Sequence, residues 1–178
     1  MPHRLFAAVR PPAKVRDQLI DIMEGVDGAR GQDEEQLHLT LHFIGDCDRH
    51  EANDIAATLA DIRCPAFPIT LAGVGRFERK GMAHTLFAEV EAGPELKRLQ
   101  QAVEYRCRAL VSRERHRKYH PHVTVARANR STAPFDAWLL RHARFRSDPF
   151  TVHSFALYES HLDTTGARYE AVRTYALD

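Results

Sequence analysis

The sequence predicts a mixed helix-and-strand domain made of two related lobes, and three observations carry that expectation. Apolar residues recur with two periods, every second residue in some stretches and every third or fourth in others. Stretches of the two kinds alternate along the 178 residues. The pattern also repeats. Leu5-Phe-Ala-Ala-Val9 matches Leu86-Phe-Ala-Glu-Val90 at an offset of 81, and His38-Leu-Thr-Leu41 matches His122-Val-Thr-Val125 at an offset of 84. A strand opening at Phe67 has its counterpart at Phe150, an offset of 83. Each half therefore reads strand, helix, His-x-Thr strand, helix, strand. No linker rich in Gly, Ser or Pro divides them, so residues 1–178 are expected to form a single domain. A pseudo-twofold packing would set the two His-x-Thr strands on opposite walls of one cleft.

The elements follow in order. Leu5 to Val9 is a short apolar run suited to a buried strand. Pro11 and Pro12 stop it and suit the first turn of a helix carrying Val15, Leu19, Ile20 and Met23. Gly25 to Gln36 is polar and predicts a loop. Leu37 to Phe43 alternates apolar and polar, the period of a half-buried strand, and Gly45 ends it. Ile55, Leu59 and Ile62 mark a helix from about His50 to Arg63. Phe67 to Phe77 and Ala83 to Val90 predict strands joined around Glu78-Arg79-Lys80-Gly81. Pro94 opens a long helix with Leu96, Leu99, Val103 and Leu110, and His120 to Arg127 is a second alternating strand. A helix from Pro134 to His142 and strands Phe150 to Ser160 and Arg168 to Leu177 complete the chain.

Composition narrows the classes. With 25 Lys+Arg against 24 Asp+Glu, the formal charge is +1 and does not advertise nucleic acid. The 44% hydrophobic content lets the chain bury a sizeable core without a metal or disulfide staple. No apolar run approaches the roughly 20 residues of a membrane span, and Met1-Pro2-His3-Arg4 lacks the apolar region of a signal peptide. Cys47, Cys64 and Cys107 are widely spaced and odd in number. They suit free thiols in a reducing cytosol, so a soluble, cytoplasmic protein is expected.

The repeated tetrapeptide carries the chemistry. On a strand His38 and Thr40 project to one face while Leu39 and Leu41 enter the core, and His122 and Thr124 repeat that geometry above Val123 and Val125. One His-x-Thr is an ordinary polar strand face; two in equivalent places suit a small anion such as a phosphodiester. A neutral imidazole can activate water while an imidazolium protonates a leaving oxygen, since the ordinary pKa of about 6.5 populates both forms near neutrality. The threonine hydroxyls can donate to non-bridging phosphate oxygens. This scheme needs neither a carboxylate nor a metal.

His38-Leu-Thr-Leu-His-Phe-Ile-Gly45 and His120-Pro-His-Val-Thr-Val-Ala-Arg127 resemble the paired HxTx signatures of the two-histidine (2H) phosphoesterases. The resemblance is strongest to the RNA 2′,3′-cyclic phosphodiesterases, formerly called 2′-5′ RNA ligases. It extends to the opening strand Arg4 to Val9 with Pro11, and to the closing Leu157-Tyr-Glu-Ser160 with Gly166, Tyr169 and Leu177. It implies an α+β, bilobal pseudo-twofold fold, with two antiparallel sheets around a central cleft, helices outside and one HxTx motif per lobe. It implies hydrolysis of RNA 2′,3′-cyclic phosphate ends, tRNA fragments included, to 2′-phosphomonoesters. No metal, nucleotide cofactor, membrane or obligatory protein partner is implied. His38 takes the role of proton donor and His122 that of acceptor, although the repeat leaves the two nearly symmetric by sequence. The reverse reaction, with an RNA 5′-hydroxyl in place of water, would give weak ATP-independent 2′-5′ ligation. The same residues would also serve a small nucleotide such as ADP-ribose 1″,2″-cyclic phosphate, or a non-catalytic module binding RNA ends.

The neighbouring residues extend the expected site. The family places a phosphate-contacting arginine at Arg127, yet strict alternation from His122 turns Arg127 to the opposite face, so a bulge or strand end after Val125 is required. His42 and His120 are expected as polar lining beside His38 and His122. His116, His120 and His122 lack a cysteine or carboxylate to complete a zinc site. The run Arg106 to Lys118 holds six cations against Glu114 and offers an approach for an RNA backbone. Of Phe6, Phe77, Phe87 and Tyr158, Phe77 is the one expected to stand exposed in a loop and stack on a terminal base.

Overall fold

The computed structural model describes residues 1–24, 26–113, 117–129 and 135–178. Nine strands and four helices occur among them: β1 (His3–Val9), α1 (Ala13–Met23), β2 (Ala29–Gly31), β3 (Leu39–Cys47), α2 (Arg49–Leu59), β4 (Phe67–Arg79), β5 (Met82–Glu91), α3 (Pro94–Leu110), β6 (His122–Ala128), α4 (Asp136–Arg141), β7 (Phe150–Val152), β8 (Ser154–Asp163) and β9 (Gly166–Ala176). A single 3₁₀ turn, Glu34–Gln36, precedes β3. None of the described helices is long and apolar enough to cross a membrane.

The strands run β7-β4-β5-β6-β3-β1-β8-β9, with β2 added on β6. Every pairing is antiparallel, and β3 and β6 meet at one register position, Leu39 opposite Val123. That narrow junction divides the strands into two half-sheets, each with one His-x-Thr strand at its inner edge. The halves exchange strands. β4 follows α2 in the chain but pairs with β5 of the second lobe, and β8 crosses back to pair with β1 of the first. Each lobe is completed by the other half of the sequence, which explains how the halves interlock without a linker.

Local chemistry sets the element ends. Asp48 caps α2 by accepting from the Glu51 amide at 2.9 Å, while the Glu51 carboxylate accepts from the Asp48 amide at 2.8 Å. The reciprocal pair satisfies two amides that the first helical turn leaves open. Pro94 stands at the first position of α3, where its missing N–H costs nothing. The helices pack on one side of the strands over a core containing Val15, Leu19, Leu39, Leu41, Ile55, Leu59, Leu96, Leu99, Val103, Val123 and Val125, all buried. Leu39, Leu41, Val123 and Val125 thus hold both motif strands against the core from behind.

Several features depart from the expected elements. The strand expected from Phe150 to Ser160 is divided into β7, which pairs with β4, and β8, which pairs with β1, and the helix expected to reach Arg63 ends at Leu59. The polar stretch before the first motif contains β2, whose three residues are too few to show a period. β3 begins at Leu39, so His38 sits just ahead of the strand. The helix expected from Pro134 begins at Asp136, and Pro134 itself lies outside the described residues.

Candidate active site

A cleft of about 550 Å³ opens between the half-sheets. His38 and Thr40 line it from the first lobe, Thr124 and Arg127 from the second. The bulge that Arg127 requires is present. In the β5–β6 register Phe87 faces Thr124 and Leu86 faces Ala126, so Val125 is the extra residue. Val125 and Ala126 are both buried, and Arg127 turns out beside Thr124. The first motif has the same device. Ala8 faces Thr40 and Ala7 faces His42, which makes Leu41 the extra residue. Strict alternation would put His42 on the cleft face; the bulge at Leu41 puts Phe43 there instead, 37% exposed and with the Arg4 guanidinium 5.3 Å from its ring centre.

His38 and His122 occupy unlike settings. His38 is only 7% exposed, and neither ring nitrogen has a hydrogen-bond partner among the described residues. Its imidazole sits edge-on to Tyr158, Tyr169 and Phe6, at 4.6, 5.6 and 6.2 Å between ring centres. Burial lowers its pKa to about 4, with the nearby Gln36 carbonyl opposing and the Arg10 and Arg16 charges assisting. An unpartnered buried polar group costs about 1–3 kcal/mol, a cost borne here at the centre of the cleft. His122 is half-buried, and its Nδ1 lies 2.6 Å from the His120 carbonyl oxygen. As the donor in that contact Nδ1 carries the hydrogen, leaving Nε2 to act on a ligand. Burial lowers the His122 pKa, and the His120 carbonyl and Glu89 oppose it. His122 is not among the residues lining the cleft itself. It lies two residues before Thr124, packed against Phe77 and Phe87 at 4.8 and 5.2 Å. The matched Phe6 and Phe87 of the sequence repeat thus each wall one motif histidine.

Other expected positions are corrected. Phe77 lies within β4, not in a loop, and its ring is held by Phe87 at 4.2 Å as well as by His122. Phe6, Phe87 and Tyr158 are buried, as expected of them. In the basic run, Arg106 reaches Thr58 and Asp61, Arg108 pairs with Glu104, and Arg113 binds Glu51 and the Asp46 carbonyl. Those three cations hold α3 and the chain after it, and Arg117 and Lys118 border a separate groove beside α3. Arg115 and His116 lie outside the described residues.

Among the cleft residues that sequence reasoning missed, Arg30 and Phe43 bear most on function. Arg30, on β2, is the register partner of Arg127, so two guanidinium groups stand on neighbouring strands at the cleft wall. Like charges directly opposite are destabilising, and an anion between them removes the penalty. Phe43 is the other, hidden by the bulge.

A two-lobed α+β domain with one HxTx strand per lobe facing a shared cleft defines a phosphoesterase of the two-histidine class. The sequence profile of the 2′-5′ RNA ligase superfamily matches residues 11–164, and this chain belongs to that superfamily. It is 30% identical to the RNA 2′,3′-cyclic phosphodiesterase of Archaeoglobus fulgidus, over 97% of this chain and 99% of the relative. It is 27% identical to the enzyme of the same name from Escherichia coli, over 99% and 97%. Among solved structures, Escherichia coli LigT complexed with 3′-AMP superposes with a TM-score of 0.84 at 26% identity, covering 99% of both chains. TT0787 of Thermus thermophilus gives a TM-score of 0.80 at 27% identity, covering 97% of both.

Proposed function

We propose that this chain hydrolyses 2′,3′-cyclic phosphate ends of RNA to 2′-phosphomonoesters by two-histidine acid–base catalysis. The observation that carries the proposal is the convergence of His38, Thr40, Thr124 and Arg127 on one cleft, with His122 two residues from Thr124. His122 accepts a proton from water as the water oxygen bonds to phosphorus. The bond from phosphorus to the ribose 3′ oxygen breaks, and His38 delivers a proton to that oxygen. The Thr40 and Thr124 hydroxyls and the Arg127 guanidinium donate to the non-bridging oxygens, where charge accumulates. None of these steps requires a metal or nucleotide.

The two settings suit these roles. A buried imidazolium supported only by the nearby Gln36 carbonyl is a strong acid and gives its proton readily, and the anionic phosphate recharges it on arrival. His122, supported by a carbonyl and a nearby carboxylate, is the better acceptor. The cleft continues past the phosphate cradle to Phe43 and Arg4, a ring and a cation suited to the next nucleotide, which favours an RNA end over a lone nucleotide. Phe77, against His122, is a wall of the site. With an RNA 5′-hydroxyl in place of water as the attacking group, the same displacement of the 3′ oxygen forms a 2′-5′ linkage without ATP.

The test is incubation with an RNA ending in 2′,3′-cyclic phosphate, with a chelator present, followed by identification of the product. A 2′-phosphomonoester is expected. A 3′-phosphate, or an untouched substrate, would overturn the proposal.

A further inference from the structure

The two five-residue repeats at β1 and β5 agree at Leu5/Leu86, Phe6/Phe87, Ala7/Ala88 and Val9/Val90, and differ at one place, Ala8 against Glu89. Ala8 is fully buried in the aromatic cluster around Phe6 and Tyr158 and faces Thr40 in register, and the charges acting on His38 are the cations Arg10 and Arg16, so the first lobe supplies its histidine with no carboxylate. In the second lobe Glu89 is the register partner of His122. Its Oε2 lies 2.9 Å from Nε2 of His120, and the His120 carbonyl in turn accepts from His122 Nδ1. β4 leaves room for this arrangement. A Cβ at Gly75 would meet the Phe87 ring at 2.6 Å and Oε1 of Glu89 at 3.3 Å.

We infer that Glu89 is a positioning residue that breaks the site's twofold symmetry, fixing His120 and lending His122 the negative charge that His38 lacks. The inference rests on the proposed two-histidine reaction and adds the reason why His122, and not His38, accepts the proton. As His122 takes a proton from water it becomes a cation half-buried against Phe77 and Phe87. The groups facing it can be named. β6 contributes His120 and Arg127, β5 contributes Glu89, and β4 contributes only the uncharged Phe77 ring, with Arg76 engaged by Glu78 and Asp136. Glu89 is thus the one anion acting on His122 among these groups; His120 and Arg127 work against the charged form. Unlike the carboxylate of a hydrolytic triad, which bonds the catalytic imidazole directly, Glu89 acts through space and through His120.

The experiment is Glu89→Gln, with Glu89→Asp as the conservative variant, read by NMR titration of the His122 ring and by kcat and KM against pH on cyclic-phosphate RNA. Loss of the charge should move the His122 titration to lower pH and lower kcat about 3- to 10-fold near neutrality, with KM within about twofold. Glu89→Asp, which keeps the charge on a shorter arm, should recover part of the titration shift. An unmoved His122 titration in Glu89→Gln would overturn the inference, and so would a kcat loss equal at every pH, since a merely structural role predicts that. The NMR arm needs no turnover. Should the wild type prove inactive on cyclic-phosphate RNA, the reaction falls while His122 still reports on Glu89.

Discussion

Arg30 and Arg127 face each other across β2 and β6, a pairing of like charges at the wall of the cleft. Neighbouring strands normally avoid such a pair. Arg30 donates to the Thr165 carbonyl at 2.5 Å, which ties β2 to the β8–β9 turn and holds this guanidinium in place without neutralising it. The arrangement is stabilised when an anion lies between the two groups. Inorganic phosphate should therefore raise the unfolding midpoint of the wild type. Arg127→Ala should abolish that dependence, leave stability without phosphate unchanged or improved, and lower kcat/KM by about 5- to 150-fold for a lost charge-assisted bond of about 1–3 kcal/mol. Calorimetry with and without phosphate checks the first part. A phosphate response that persists in the variant counts against the cradle.

The buried His38 makes stability depend on pH. Its folded pKa of about 4 lies below the ordinary 6.5, so the unfolded chain binds this proton first as pH falls. The contribution is fully present above pH 6.5, is lost between 6.5 and 4, and stays lost below. It amounts to about 3 kcal/mol at most. His38→Leu should flatten that part of the profile and be more stable than the wild type near pH 4.5, though inactive. Denaturant midpoints from pH 4 to 7 measure this, and identical slopes in both proteins would place His38 in a wetter setting than described.

Much of the architecture was legible because it rests on periodicity. Leu39, Leu41, Val123 and Val125 mark the core side of both motif strands, and the repeat pairs Phe6 with Phe87 before their shared contact with a histidine is seen. The bulges were legible only in part. The family's arginine demanded one at Val125, while nothing local signalled the equivalent at Leu41, so His42 and Phe43 exchanged places. The exchange of β4 and β8 between lobes is a long-range pairing that leaves no mark on either strand's own pattern. β2 is too short for a period, which hid Arg30. The run from Arg106 to Lys118 looked like a surface for RNA because charge alone says nothing about partners, and Glu51, Asp61 and Glu104 take up Arg113, Arg106 and Arg108 in the folded chain.

Thr40→Val and Thr124→Val keep the branched shape suited to a strand and remove the hydroxyl. Each should lower kcat/KM by about 5- to 150-fold, corresponding to about 1–3 kcal/mol, and leave the pH optimum in place because the titrating pair is untouched. Efficiency against pH for both variants is the measurement. Unchanged values would make the threonines strand formers only.

Phe43→Ala should separate substrate lengths. A stacked base is worth about 1–3 kcal/mol, so an RNA oligomer with a cyclic end should lose efficiency while a cyclic mononucleotide loses less. Equal losses on both substrates would show that Phe43 supports the cradle and not a second nucleotide.

The central claim is that one histidine from each lobe moves a proton in the same turnover, and the pH dependence of kcat/KM tests it most directly. The wild type should give a bell whose maximum lies below pH 6.5, because burial lowers the pKa of both His38 and His122. The limbs belong to the coupled pair. His38→Ala and His122→Ala should each lose roughly two to four powers of ten and keep one limb of the bell. A full bell, or near-normal turnover, in either folded variant would contradict the account.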